Sequence, residues 1–158
     1  INGYITFSLP AVLNGDEFEE VFLKVENGKI VEARCKEEEK IEKLLSYIDT
    51  DNGSRFFGEV AIGTNYEIKQ YTKNILFDEK IGGTIHMAIG NAMPEAGGIN
   101  ESAIHWDIIN EMKEGEIFAD GELFYKNGEF LNEILKPAVT VKTAEPNISP
   151  FFIPLPAV

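Results

Sequence analysis

The sequence predicts an α+β domain, mostly antiparallel or mixed β-sheet with one or two helices, and three observations carry that prediction. Two Asn-Gly pairs, Asn27-Gly28 and Asn127-Gly128, each interrupt an alternation of apolar and polar residues, the strongest short-range signal for a hairpin. One stretch, "KEEEKIEKLLSYID", sets Ile41, Leu44, Leu45 and Ile48 at helical spacing, with Lys and Glu on the other face. Several short apolar runs are bounded by glycine, as buried strands often are.

Tyr4-Ile5-Thr6-Phe7 reads as a first strand. The chain enters it almost directly from Ile1, which suggests a C-terminal piece excised from a longer protein. In "EFEEVFLKVENGKIVEARC" (17–35), Val21, Leu23 and Val25 share one face, and Val31, Ala33 and Cys35 resume the period of two after the turn. The amphipathic helix follows. "RFFGEVAIG" (55–63) and "TIHMAIG" (84–90) read as buried strands, joined by a link that ends in "TKNILFDEKIGG". "IHWDII" suits a strand as well as the start of a helix through Asp107–Lys113. "GELFYKNGEFL" (121–131) forms the second Asn-Gly hairpin. Five of the seven prolines, Pro137 to Pro156, fall after residue 131. Proline removes a backbone donor and breaks helix and sheet interiors, so residues 132–158 are expected to form an extended proline-rich arm on a domain of residues 1–131.

Composition narrows the function. The 27 acidic against 14 basic residues give a net charge of −13, which repels nucleic acid and anionic membrane surfaces. No apolar run approaches the roughly 20 residues that span a bilayer. Cys35 is the lone cysteine, so no internal disulfide forms, and a cytoplasmic location is expected. Its apolar neighbours mark it as a small core residue.

Chemistry centres on His86 and His105, the only two histidines. In an extended segment His105 and Asp107 project to the same face, with Trp106 opposite. An imidazole beside a carboxylate is half of a zinc, cobalt or manganese site, and equally the pattern of a plain hydrogen-bonded pair. His86 lies in an apolar run, where it needs either a backbone acceptor or a metal. Glu59, between Phe57 and Val60, must face solvent or find a cation. Of the adjacent Asp78 and Glu79, one suits a general base and the other a cap or solvated charge. The common nucleophile, zinc-helix and phosphate-loop motifs are absent.

"GEVAIGTN", "FDEKIGGTIH" and "ESAIHWD", taken together over roughly residues 1–131, resemble the active-site part of the M29 (aminopeptidase T) metallo-aminopeptidases. The resemblance implies a dinuclear enzyme, holding two divalent ions (zinc, cobalt or manganese), that removes N-terminal residues from peptides with a free N-terminus. It implies metal ligands at Glu59, His86, His105 and Asp107, with Glu59 bridging, a general base at Glu79, and a homodimer. Two departures qualify it. The family's first acidic ligand lies upstream of Ile1, so the chain is expected to bind metal weakly and to hydrolyse poorly by itself. Met93 also stands where the family usually has a tyrosine that stabilises the oxyanion, and a thioether donates no hydrogen bond. Tyr66 or Tyr71 would replace it only if the fold brings one near. The alternative reading is therefore a catalytically decayed interaction domain that keeps the fold and an acidic metal pocket.

Overall fold

A computed structural model describes residues 1–132, so all but the first residue of the expected arm lies outside the described residues. The strands are β1 (Gly3–Thr6), β2 (Ala11–Leu13), β3 (Asp16–Phe18), β4 (Phe22–Glu26) and β5 (Lys29–Arg34). After helix α1 (Ile41–Ile48) come β6 (Phe57–Ile62), the single-turn α2 (Ile75–Asp78), β7 (Thr84–Gly90) and β8 (His105–Glu111). A last group follows: β9 (Glu116–Ala119), β10 (Glu122–Lys126) and β11 (Glu129–Phe130). They pair into small antiparallel sheets ordered β1-β4-β5, β2-β3, β6-β7-β8 and β9-β10-β11. The α+β expectation holds.

Both expected hairpins form, with positive φ at Asn27 and Gly28 and at Asn127 and Gly128. The same device turns two more, at Asn14-Gly15 between β2 and β3 and at Asp120-Gly121 between β9 and β10. The helical alternative for Asp107–Lys113 gives way to strand. Every residue of β8 is paired in register with one of β7, from Gly90↔His105 to Thr84↔Glu111. With β6 on its other edge, β7 becomes a central strand, and that cross-strand pairing decides a segment whose local pattern suits either state.

The core joins α1 to two sheets. Leu44 and Ile48 of α1 are fully buried with Leu23, Val25, Ile30 and Ala33 from the first sheet and Ile89, Trp106 and Ile108 from the third. Each such side chain contributes on the order of 1.5–3 kcal/mol on burial. Trp106 packs against Phe18 and Tyr47 and donates its indole N–H to the Val12 carbonyl (3.1 Å). Cys35 is buried and free, as expected.

Alternation along the third sheet separates this core from the opposite face. With Trp106 and Ile108 turned into the core, His105, Asp107 and Ile109 project the other way. Glu59, Ala88 and Asp107 lie in one cross-strand row, flanked by the rows of Ala61, His86, Ile109 and of Gly90, His105. Directly opposed residues share a face, so four side chains able to bind a cation surround the small, fully buried Ala88.

Candidate metal centre

His86 comes from the central strand, Glu59 from β6, and His105 and Asp107 from β8. Glu59 reaches both imidazoles. Its Oε1 lies 3.1 Å from His86 Nε2 and its Oε2 3.5 Å from His105 Nε2. Asp107 Oδ2 is 3.6 Å from His105 Nε2. Glu79 joins from the C-terminal end of α2. Two overlapping sets result, Glu59 with His105 and Asp107, and Glu79 with His86 and Asp107; within each, donor atoms lie no more than 4.8 Å apart. Asp107 belongs to both.

Local structure explains how Glu79 arrives. The Asn74 side chain caps α2 by accepting the Leu76 N–H (3.2 Å), and Asp78 anchors it by accepting the Thr72 N–H and hydroxyl (2.9 and 2.8 Å). Asp78 is 1% exposed while Leu76 and Phe77 of the same turn are exposed, the reverse of what their polarity suggests. Of the two adjacent acids, Asp78 is therefore the structural one. Glu79 is ion-paired with Lys80, and a quarter of its side chain remains exposed.

Three carboxylates within this pocket repel one another, and partners for them are few. Among the described residues, Asp107 Oδ1 and His86 Nδ1 are buried without any hydrogen-bond partner. His105 settles its own tautomer: Nδ1 donates to the Asn91 carbonyl (2.7 Å), so in the neutral ring Nε2 carries the lone pair. That lone pair faces two carboxylate oxygens, an arrangement that is repulsive unless a proton or a cation sits between them. Two ligands each about 2.1 Å from one tetrahedral ion are about 3.4 Å apart, and the observed 3.1, 3.5 and 3.6 Å bracket that spacing. The nitrogen and oxygen donors, the orphaned buried atoms and the spacing all fit a divalent cation.

Without metal, protons do the neutralising. The His86 hydrogen bond holds Glu59 below the ordinary 4.5, against the opposing effect of burial. Burial pulls His86 down, but the Glu59 hydrogen bond and the charges of Asp107, Glu59 and Glu79 outweigh it and leave its pKa above 6.5. Burial pushes Asp107 above 3.8, although both imidazoles oppose this. The lowered Glu59 stabilises above 4.5 and loses its effect as pH falls through its folded pKa. The raised His86 stabilises below 6.5 and loses its effect as pH rises through its own. Metal affinity runs the other way, because ligands must shed protons to bind. As pH rises above 6.5, thermal midpoints of the metal-free chain are therefore expected to fall while zinc affinity climbs. Melting curves and zinc titrations across pH 6–8.5 check both slopes; a parallel trend would contradict this account.

A sequence profile of the thermophilic metalloproteases, M29, matches residues 1–130. The chain belongs to the M29 family. Aminopeptidase AmpS of Bacillus subtilis is 32% identical over 152 residues, covering 82% of this chain and 36% of that protein. Aminopeptidase T of Thermus thermophilus is 30% identical over 138 residues, 77% of this chain and 33% of that protein. This M29 chain thus spans about a third of the length of the curated relatives it matches. The solved structure of wild-type AmpT from Thermus thermophilus superposes with a TM-score of 0.69 at 30% identity, covering 83% of this chain and 36% of that one. A 2,5-dihydroxypyridine dioxygenase from Pseudomonas putida KT2440 shares the fold at a TM-score of 0.61 and 19% identity, covering 82% of this chain and 40% of that one. One fold thus occurs in proteins named for a peptidase and for an oxygenase, so reaction type must be argued from side chains.

Neither tyrosine considered as a substitute for the family residue has a free hydroxyl proton. Tyr66 donates to the Gly128 carbonyl (2.6 Å) and Tyr71 to that of Pro10 (2.5 Å). Tyr71 does border the small cleft that also contains Asp107. The role of Asn91 was not legible in the sequence, because a backbone carbonyl acceptor leaves no mark on residue type.

Proposed function

We infer that the chain is the metal-binding part of a metal-dependent aminopeptidase, hydrolysing N-terminal residues from peptides that carry a free N-terminus. The observation that carries this reading is the His105 tautomer: with Nδ1 committed to Asn91, Nε2 offers a lone pair toward Glu59 and Asp107 at metal-ligand spacing. Glu59, His105 and Asp107 hold one divalent ion, and His86 and Asp107 contribute to a second, with zinc, cobalt and manganese as the candidates. Glu59 presents one oxygen to each histidine, and Asp107 belongs to both candidate sets. The ions supply Lewis acidity, which lowers the pKa of a water and polarises a carbonyl. Glu79 accepts the proton of the attacking water, and the acidic surroundings attract the substrate's ammonium group.

No helix among the described residues is long and apolar enough to cross a membrane. A cytoplasmic homodimer, without nucleic-acid partners, completes the proposal. The second reading, a decayed binding domain, rests on Met93, which lies in the loop between β7 and β8 that also supplies Asn91. Met93→Tyr separates the two. Restoring one oxyanion donor is worth on the order of 10²–10³ in rate, so Met93→Tyr is expected to raise kcat on an aminoacyl chromogenic substrate by about that factor, with zinc affinity unmoved. Turnover in the parent supports the peptidase; metal binding in the parent without turnover, rescued by the tyrosine, supports the decayed domain instead.

A further inference from the structure

His105 stands at the start of β8, where the loop from residue 91 re-enters the sheet, and a loop is a poor mount for a ligand that must be held to a fraction of an ångström. The structure supplies a brace from elsewhere in the chain. Asp51, in the turn after α1, accepts four hydrogen bonds. Oδ1 takes the Gly53 and Ser54 N–H groups (2.8 and 2.9 Å), closing its own turn. Oδ2 takes the Ala103 N–H (2.6 Å) and the Ser102 hydroxyl (3.0 Å), tying that turn to the residues just before His105. These donors, the Ala103 N–H foremost, hold the Asp51 carboxyl below its ordinary 3.8.

The brace continues to the histidine through short contacts. The Ile104 carbonyl accepts the Asn91 N–H (2.6 Å), and the Ser102 N–H reaches Asn91 Oδ1 (3.3 Å). Asn91 is thus fixed from the 102–104 segment, and its own carbonyl takes the His105 Nδ1 proton. Asn100 Nδ2 adds bonds to the Gly53 and Gly90 carbonyls (2.9 and 2.6 Å). Two glycines make the close approach possible. A Cβ on Gly58 would come 2.2 Å from the Asn91 oxygen, and one on Gly90, at φ +97°, 2.2 Å from the Ile104 oxygen.

We propose that Asp51 is a positioning residue for the metal centre, holding the 102–104 segment so that the Asn91 carbonyl fixes the Nδ1–H tautomer of His105 and leaves Nε2 bare toward Glu59 and Asp107. Asp51 touches neither metal nor substrate. Its effect on metal binding rests on the function proposed above; its effect on the tautomer does not.

The presence of only two histidines makes the test direct. Histidine-selective ¹⁵N labelling of the whole chain gives four ring-nitrogen signals, and these report which nitrogen of His105 bears the proton. Asp51→Asn keeps an oxygen for the Gly53–Ser54 turn but sets an amide N–H₂ against the Ala103 N–H. At a pH that leaves the ring neutral, the parent is expected to show a single Nδ1–H tautomer. In Asp51→Asn the His105 signals should move toward the average of both tautomers, and cobalt affinity should fall about 10- to 100-fold, the range for loss of an outer-shell partner. Ser102→Ala, which removes one of the four bonds, should shift both readouts the same way by less, and it decides the matter if Asp51→Asn does not fold. Folded variants with the parent's His105 signals and the parent's cobalt affinity would overturn the proposal. A parent that shows the Nδ1–H tautomer yet binds no cobalt would instead overturn the metal reading, with the tautomer shift still judging Asp51.

Discussion

Asp107→Asn is expected to raise the thermal midpoint of the metal-free chain and to erase the rise that zinc or cobalt produces. Both effects follow from one placement. Asp107 is the side chain common to both candidate ligand sets, and its Oδ1 is buried with no donor among the described residues. In the metal-free protein that carboxylate is a liability: burial disfavours its charge, and the neighbouring Glu79 and Glu59 add repulsion. Asn keeps the shape and removes the charge. A gain of about 1–2 kcal/mol corresponds to roughly 3–8 °C in a domain of this size. In the metal-loaded protein the sign reverses. Metal at 100 times its dissociation constant stabilises by about 2.7 kcal/mol, worth about 10 °C, and removing the shared ligand forfeits that rise. Melting curves with and without zinc give both numbers. A lower metal-free midpoint in Asp107→Asn, or a metal-dependent rise that survives, would count against the site. The substitution thus separates a residue kept for stability from one kept for function at a cost in stability.

This placement also marks the limit of what the sequence discloses. Strand alternation was enough to put His105 and Asp107 on one face and Trp106 on the other, and the Asn-Gly pairs were enough for two hairpins. The turns at Asn14-Gly15 and Asp120-Gly121 use the same positive φ angles, but their flanking strands run only three to five residues. Before each turn the side chains are uniformly apolar, Ala11-Val12-Leu13 and Ile117-Phe118-Ala119, and show no alternation to read. "IHWDII" was undecided because its local pattern suits two states, and the pairing with β7 that decides it is a long-range fact. In "NILFD" the apolar side chains point outward and the aspartate inward, which no hydropathy rule anticipates. The lock on the His105 tautomer and the four bonds of Asp51 are further out of reach. Both depend on backbone groups, and those are the same for every residue type.

Glu79→Gln carries the largest expected effect on turnover, a fall of about 10²–10⁴ in kcat. Geometry allows Glu79 two roles, since an oxygen of its side chain lies within 4.8 Å of donor atoms on both His86 and Asp107. Two observations favour the base. Its side chain is 25% exposed, against 10% for Asp107 and 15% for Glu59, so water reaches it more readily than it reaches the other two carboxylates. It is also paired with Lys80, a contact that a carboxylate pulled onto a metal would have to give up. Its mount suits a proton carrier as well. A capped single turn anchored by buried Asp78 fixes the backbone from which the Glu79 side chain reaches the pocket. Gln preserves the size and cannot take the proton. Turnover should therefore fall with zinc affinity within about threefold of the parent. A ligand behaves differently: its loss weakens zinc by more than the 10- to 100-fold seen for outer-shell partners. Zinc titration beside a kinetic assay of Glu79→Gln distinguishes the two, and a collapse of affinity would move Glu79 from base to ligand.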